Sequence, residues 1–252
     1  MKTALNNMMK CTLRGAIGTV GAIGYRLTYA RTDRVGGLNF GDDVRIILGQ
    51  SKPVLFDVGA NMGQTIDMFQ RVFRDPEIHA FEPSRATFEA LKTRQYSRRV
   101  TLNNFALGDR SYQKDFSNND MSVLSSFLPL DDSAENRFRD TKIRAVETVD
   151  IKTVDWYMAE HNIARVDLLK VDTQGFDLQV LKGASQSLEA GLIGAVFVEL
   201  NFVKMYLGQA SAREIDEFLT DHGLALVDYY EKVRQGHTLG WCTALYSAQP
   251  RQ

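Results

Sequence analysis

The chain has 252 residues, 44% of them hydrophobic and 24% charged, with a formal net charge of −1. That length can bury one substantial core, and the near-neutral balance excludes whole-protein attraction to nucleic acid or to an anionic membrane surface. Two cysteines, Cys11 and Cys242, stand far apart and supply neither a disulfide framework nor metal-ligand spacing, which fits a reducing, cytoplasmic setting.

In chain order, residues 11–30 are fairly apolar but carry Arg14, Arg26 and four glycines. A membrane span needs about 20 strongly apolar residues, so no integral membrane segment is expected. Leu13, Ile17, Val20, Ile23 and Leu27 fall at helical spacing, and the glycines at every third position permit close packing against a partner. Residues 1–50 are therefore expected to form an N-terminal helical extension that also offers an oligomer contact, with one domain over residues 51–252.

Asp42–Gly49 reads as a short helix leading into a first strand, Val54–Val58, and a helix-like run, Gln64–Phe73. The next strand is Ile78–Phe81; Pro83 and Ser84 then start a helix. Val100–Ala106 reads as a third strand. Residues 110–141 are polar apart from one apolar island, Met121–Leu130, and a segment of this length in a compact domain marks a functional or mobile loop. The strand pattern resumes at Ile143–Val149, followed by a helix over Thr153–His161, a strand over Val166–Val171, a helix over Leu178–Leu188 and a strand over Ala195–Leu200. Ser211 followed by Glu214 is capping-box spacing, so Ser211–His222 is expected to be helical. Leu224–Tyr230 and Gly240–Ser247 end the chain as an antiparallel hairpin.

Alternating strands and helices imply an α/β fold, an open, mostly parallel sheet with helices on both faces. Ligands bind such sheets beyond the carboxyl ends of the strands, where strand order reverses. Asp57, Glu82, Asn104, Asp172 and Glu199 all lie at or near predicted strand ends.

The most informative stretch is Asp57-Val-Gly59-Ala-Asn-Met-Gly63, at the first strand-to-helix turn. Glycine lets backbone approach a ligand closely, and D-x-G-x-x-x-G is not the dinucleotide fingerprint G-x-G-x-x-G. A donor without a pyrophosphate, S-adenosylmethionine, suits it, with Asp57 drawing the ammonium directly or through water. Glu82, 19 residues beyond Gly63, is placed to accept hydrogen bonds from both ribose hydroxyls. Asn104 and the Ala106 backbone are within expected reach of an adenine edge, with Phe105 or Leu107 on its face. Asp172 suits a general base or one ligand of a divalent ion, and Glu199 ends the neighbouring strand. Lys170 lies in an otherwise apolar strand, so a neighbouring acid is expected.

Together Phe56–Gly63 (FDVGANMG), His79–Pro83 (HAFEP), Asn104–Asp109 (NFALGD), Leu168–Asp177 (LLKVDTQGFD) with Val180–Ala184 (VLKGA), and Val198-Glu199 resemble the FkbM-type methyltransferase family. The resemblance runs from about residue 53 to 246. It implies a class I methyltransferase (Rossmann-like) fold, with a seven-stranded sheet closed by an antiparallel hairpin. It also implies S-adenosylmethionine as methyl donor and, usually, a hydroxyl oxygen as acceptor on a sugar, glycan or natural-product small molecule. Carried onto this chain, Asp57, Gly59, Asn61, Gly63, Glu82, Asn104 and Asp172 become the expected donor pocket, with Ala60, Thr65, Pro83, Ser84 and Ala106 beside them. Many relatives have an acidic residue where Gln174 stands, and often one where Thr243 stands. The first departure shifts the expected catalytic role toward Asp172, with Glu199 second and a metal requirement open.

The expected chemistry is in-line methyl displacement, with alignment as the main contribution of the protein and residues 110–141 closing over the site as a lid. A nicotinamide-dependent oxidoreductase is the first alternative, opposed by the missing G-x-G-x-x-G and the terminal hairpin. A noncatalytic cofactor-binding module is the second.

Overall fold

The computed structural model describes residues 39–49, 52–133 and 136–248. The expected helix within residues 11–30 lies outside the described residues.

The first three strands of the main sheet are β1 (Val54–Val58), β2 (Glu77–Phe81) and β3 (Val100–Asn103). They are joined by α2 (Gln64–Val72) and α3 (Arg85–Lys92). The chain returns to the other side of β1 as β7 (Leu168–Val171) and β8 (Ala195–Asn201), and closes with the hairpin β9 (Leu224–Gln235) and β10 (Thr238–Ala248). Strand order is β3-β2-β1-β7-β8-β10-β9, parallel from β3 to β8 and antiparallel from β8 through β10 to β9. Connections run outward in both directions from the β1/β7 boundary, so a crevice opens there beyond the strand ends. This is the class I methyltransferase fold, a sheet of seven strands.

Alternation along the strands sends residues to opposite faces, and both faces are covered. Phe56 and Val58 join a core with α4 (Val154–Glu160), α5 (Asp177–Lys182), α6 (Ser185–Glu189) and α7 (Ala212–Asp221). Leu55 joins a core on the other side with α2, α3 and α1 (Phe40–Leu48). The expected capping box is present: the Ser211 hydroxyl accepts from Glu214 N, and the Glu214 carboxylate accepts from Ser211 N.

Helix α1 packs directly on the sheet. Phe40 stacks on Phe197 at 4.1 Å between ring centroids, and Tyr230 Oη donates to Asp43 Oδ2 at 2.6 Å across the buried contact. A helix anchored in this way is continuous with the core, although a boundary at residue 50 assigns it to the extension.

Three local expectations differ from the structure. The helix expected over Leu178–Leu188 is two, α5 and α6. Val100–Ala106 is not one strand: the chain leaves the main sheet after Asn103, and Ala106–Leu107 forms β4 in a second sheet. That sheet has the order β4-β6-β5, where β5 is Tyr112–Asn119 and β6 is Ile143–Lys152. Residues 110–141 thus include a strand, and Leu124 and Phe127 of their apolar island turn inward while Met121 and Val123 stay exposed. Polar composition hides β5, because Lys114 lies over apolar rings. Its ammonium sits 5.1 Å from the Phe176 centroid and 5.9 Å from that of Phe127, so the charge itself faces the ring π-systems.

Among the described residues no helix is long and apolar enough to cross a membrane.

Candidate active site

The turn after β1 is pinned to its neighbours. Gly59 N and Ala60 N both donate to Phe81 O at 3.0 Å. A Cβ on Gly59 (φ +82°) would lie 2.0 Å from Asp172 O, and one on Gly63 (φ +85°) would lie 2.0 Å from the Tyr96 hydroxyl. Close approach of protein to protein requires glycine at both positions, and Gly59 also lines the cleft described next.

Glu82 sits just beyond the end of β2 and is buried. Asn61 N donates to its Oε2 at 2.8 Å and Ser84 N to its Oε1 at 2.9 Å. Burial pushes the carboxyl up to about 7 against these two donors. The backbone thus fixes a desolvated carboxylate against a cleft of about 660 Å³ at the β1/β7 crevice.

Of the expected donor-pocket residues, Gly59, Asn61, Glu82, Pro83, Ala106 and Asp172 line this cleft, whereas Asp57, Ala60, Gly63, Thr65, Ser84 and Asn104 do not. Two of the latter hold the lining in place. The Ser84 hydroxyl accepts from Thr87 N at the start of α3, and Asn104 Nδ2 donates to Glu82 O (2.9 Å) and Pro83 O (3.1 Å). Leu107 reaches the cleft, but Phe105 turns away and packs on Phe81 and Trp156. Lining residues not singled out from sequence include Phe116, Ser122, Val123, Ser125 and Phe127, all within the segment 110–141 that was expected to close over the site. The apolar island Met121–Leu130 marked all of them but Phe116. Ser122 Oγ also reaches Asn61 Oδ1 at 3.3 Å, linking this segment to the turn after β1.

Asp57 is fully buried, and its charge is met from within the protein. Lys170 Nζ lies 2.9 Å from Asp57 Oδ1 and 3.9 Å from Asp172 Oδ2, and donates to Gly59 O at 2.9 Å and Val58 O at 3.4 Å. Burial opposes the lysine charge, but Asp57 and then Asp172 outweigh it and raise its pKa. The acid expected beside Lys170 is thus Asp57, which leaves Asp57 a structural partner rather than a group lining the cleft.

The β7–α5 loop carries Asp172, whose side chain is 41% exposed. Gln174 Nε2 donates to Asp172 Oδ1 at 2.7 Å, and Tyr206 Oη donates to Gln174 Oε1 at 2.9 Å. Asp177 closes the loop from below, accepting from Thr173 N at 2.8 Å and Gly175 N at 3.1 Å. Burial raises the Asp177 carboxyl to about 6. Glu199 does not line the cleft. Burial first, and then the charges of Asp172 and Asp177, push its pKa well above the ordinary carboxylate range, and Asn201 Nδ2 donates to it at 3.1 Å. Thr243 lies opposite Glu199 in the β10–β8 register. Among the described residues no group of three or more His, Cys, Asp or Glu side chains is placed to hold a metal ion.

This arrangement can hold a hydroxyl-rich, partly aromatic ligand. Its lining combines a buried carboxylate (Glu82), the rings of Phe81, Phe116 and Phe127, and a half-exposed carboxylate (Asp172).

Residues 57–225 match the family described as the methyltransferase FkbM domain. The chain is 27% identical over 165 residues to "Methyltransferase 1" of Beauveria bassiana, covering 58% of this chain and 64% of that protein, a little under two thirds of its length. It is 24% identical over 180 residues to "2-O-methyltransferase NoeI" of Sinorhizobium fredii, covering 69% of this chain and 73% of the relative. Among solved structures, the 1,6-didemethyltoxoflavin-N1-methyltransferase of Burkholderia thailandensis superposes with a TM-score of 0.46 and 12% identity, over 97% of this chain and 90% of that one.

Proposed function

We propose, from the premise that this chain belongs to the FkbM methyltransferase family and is S-adenosylmethionine-dependent, that it methylates a hydroxyl oxygen on a sugar, glycan or natural-product small molecule. The observation that carries this reading is one cleft with two unlike carboxylates. Glu82 is buried and gripped by two backbone N–H groups, and Asp172 is half exposed in the same lining.

The residues present fit the donor. Glu82 would hold the ribose hydroxyls, Ala106 and Leu107 the adenine, and Gly59, Asn61 and Asp172 the methionine end. Asp57, Ala60, Gly63, Thr65, Ser84 and Asn104 would support these groups from behind. Bound there, the donor supplies an electrophilic methyl group.

Asp172 accepts the proton as the acceptor oxygen becomes nucleophilic, since its carboxylate is both exposed and at the cleft wall. Glu199 keeps its proton to higher pH than an ordinary carboxyl and stands behind this wall. Exposure at the cleft lining gives the role of base to Asp172. Alignment within the cleft supplies the rest of the acceleration. The NoeI relative, named a 2-O-methyltransferase, supports oxygen as the accepting atom.

The test is transfer of labelled methyl from S-adenosylmethionine into small-molecule and glycan fractions by wild type, Asp172→Asn and Glu199→Gln. Asp172→Asn is expected to lose about 100-fold or more in kcat, in line with the 10²–10⁴ typical of a general base. Glu199→Gln should lose less. Undiminished transfer by Asp172→Asn would overturn the assignment of the base.

A further inference from the structure

Asp172 is held by a neutral side chain that is itself fixed at both ends. Gln174 adopts φ +54°, a conformation uncommon for a residue with a Cβ and worth a functional question. Its backbone carbonyl accepts from Ser126 Oγ at 2.7 Å, in the segment that also lines the cleft. Its amide nitrogen donates to Asp172 Oδ1 at 2.7 Å, and its amide oxygen accepts from the fully buried Tyr206 hydroxyl at 2.9 Å. That hydroxyl also reaches Leu124 O at 3.2 Å.

The two ends of an amide are not equivalent. A carboxylate only accepts and, when neutral, a tyrosine hydroxyl can donate, so a single orientation of the Gln174 amide satisfies both neighbours. In that orientation Asp172 Oδ1 is occupied as an acceptor, and Oδ2 is left on the side of Lys170.

We propose that Gln174 is a positioning residue for methyl transfer: it tethers one oxygen of Asp172, leaves the other for the acceptor hydroxyl, and by its neutrality keeps a further carboxylate out of this wall. The proposal rests on the reading of Asp172 as proton acceptor. The charged and titratable groups around Asp172 are Lys170 on the preceding strand β7, Asp57 on β1, Asp177 on α5, Glu199 on β8 and Tyr206 beyond β8. The wall thus already holds one cation against several carboxyl groups. A glutamate at position 174 would have nearly the same length but no N–H to offer. Two carboxylates in hydrogen-bond contact cannot both stay ionised, and one of them takes up a proton.

The test uses the full chain and two variants, Gln174→Glu and Gln174→Leu, with carbon-13 carboxyl NMR of Asp172 assigned through Asp172→Asn. In Gln174→Glu the Asp172 titration midpoint is expected to rise by about one pH unit or more relative to wild type. The acid limb of kcat/KM should rise with it, while the Kd for S-adenosylhomocysteine stays within about threefold. In Gln174→Leu, which loses the tether without adding charge, kcat should fall about tenfold or more with KM nearly unchanged. An unmoved Asp172 titration in Gln174→Glu would overturn the proposal. So would a titration that moves while the rate profile of Gln174→Glu and the kcat of Gln174→Leu stay at wild type. If Asp172→Asn itself transfers methyl at the wild-type rate, the base assignment has failed, and the NMR midpoint still reports the tether separately.

Discussion

Lys170 Nζ and Asp57 Oδ1 lie 2.9 Å apart, with side chains 7% and 0% exposed, and they tie strand β7 to β1 beneath the cleft. Removing one member of such a pair leaves a buried charge without compensation, at a typical cost of about 3–5 kcal/mol, whereas replacing both with neutral groups of similar volume costs far less. Lys170→Met and Asp57→Asn are each expected to lose stability on that scale, and the double variant to recover much of it. Urea unfolding in a double-mutant cycle measures the coupling; additive losses would show that the pair is not one unit.

The two turn glycines should respond differently to alanine. At Gly59 the added Cβ meets the Asp172 carbonyl, a backbone atom that cannot withdraw, while at Gly63 it meets the end of the Tyr96 side chain. Gly63→Ala is expected to be partly rescued by Tyr96→Phe, with residual cost from φ +85° and from Leu91, 3.0 Å from the added atom. Gly59→Ala has no such suppressor. Thermal unfolding of the single and double variants checks this.

Glu82 makes donor-free stability depend on pH in a definite direction. Its carboxyl is raised from 4.5 to about 7 in the folded protein, so the native state binds the proton more tightly than the unfolded chain. The stability this contributes is fully present below about pH 4.5 and is lost as pH rises through about 7, a change on the order of 3 kcal/mol. Asp177, raised to about 6, acts in the same sense. Glu82→Gln should flatten the fall in Tm between pH 5 and 8. An equally steep fall in the variant would remove Glu82 as its source.

Ser122 Oγ and Asn61 Oδ1, 3.3 Å apart, link two lining residues of the cleft. Ser122→Ala is expected to raise the donor KM a few-fold while changing stability by no more than about 1 kcal/mol. Excising Met121–Leu130 is a poorer probe of a lid, because Leu124 is buried with Met205 and Tyr206 and the segment belongs to a core. Steady-state kinetics alongside unfolding separates the two effects.

The strand ends were legible in sequence because parallel strands buried on both faces read as unbroken apolar runs, and an acid at the end of such a run stands out. That logic found Glu82 and Asp172. It also drew attention to Asp57, but a single sequence does not show which way a strand-end carboxylate faces. Asp57 turned to Lys170, two residues before Asp172 on an adjacent strand, and so became a structural ion. The lining around Phe116 was illegible for another reason. Phe116 and Phe127 lie at 4.9 Å between ring centroids, a pairing made by the return of the chain through the small sheet and invisible in local periodicity. Gln174 was noticed only as a departure from an acidic pattern; its contact with Tyr206, 32 residues on, is purely tertiary.

The most direct test of the central claim is calorimetric titration of S-adenosylhomocysteine into wild type and Glu82→Ala, with NAD as control. The account predicts saturable binding to wild type, about tenfold or more weaker in Glu82→Ala, and none for NAD. No binding of S-adenosylhomocysteine to wild type, or binding unaffected by Glu82→Ala, would contradict it.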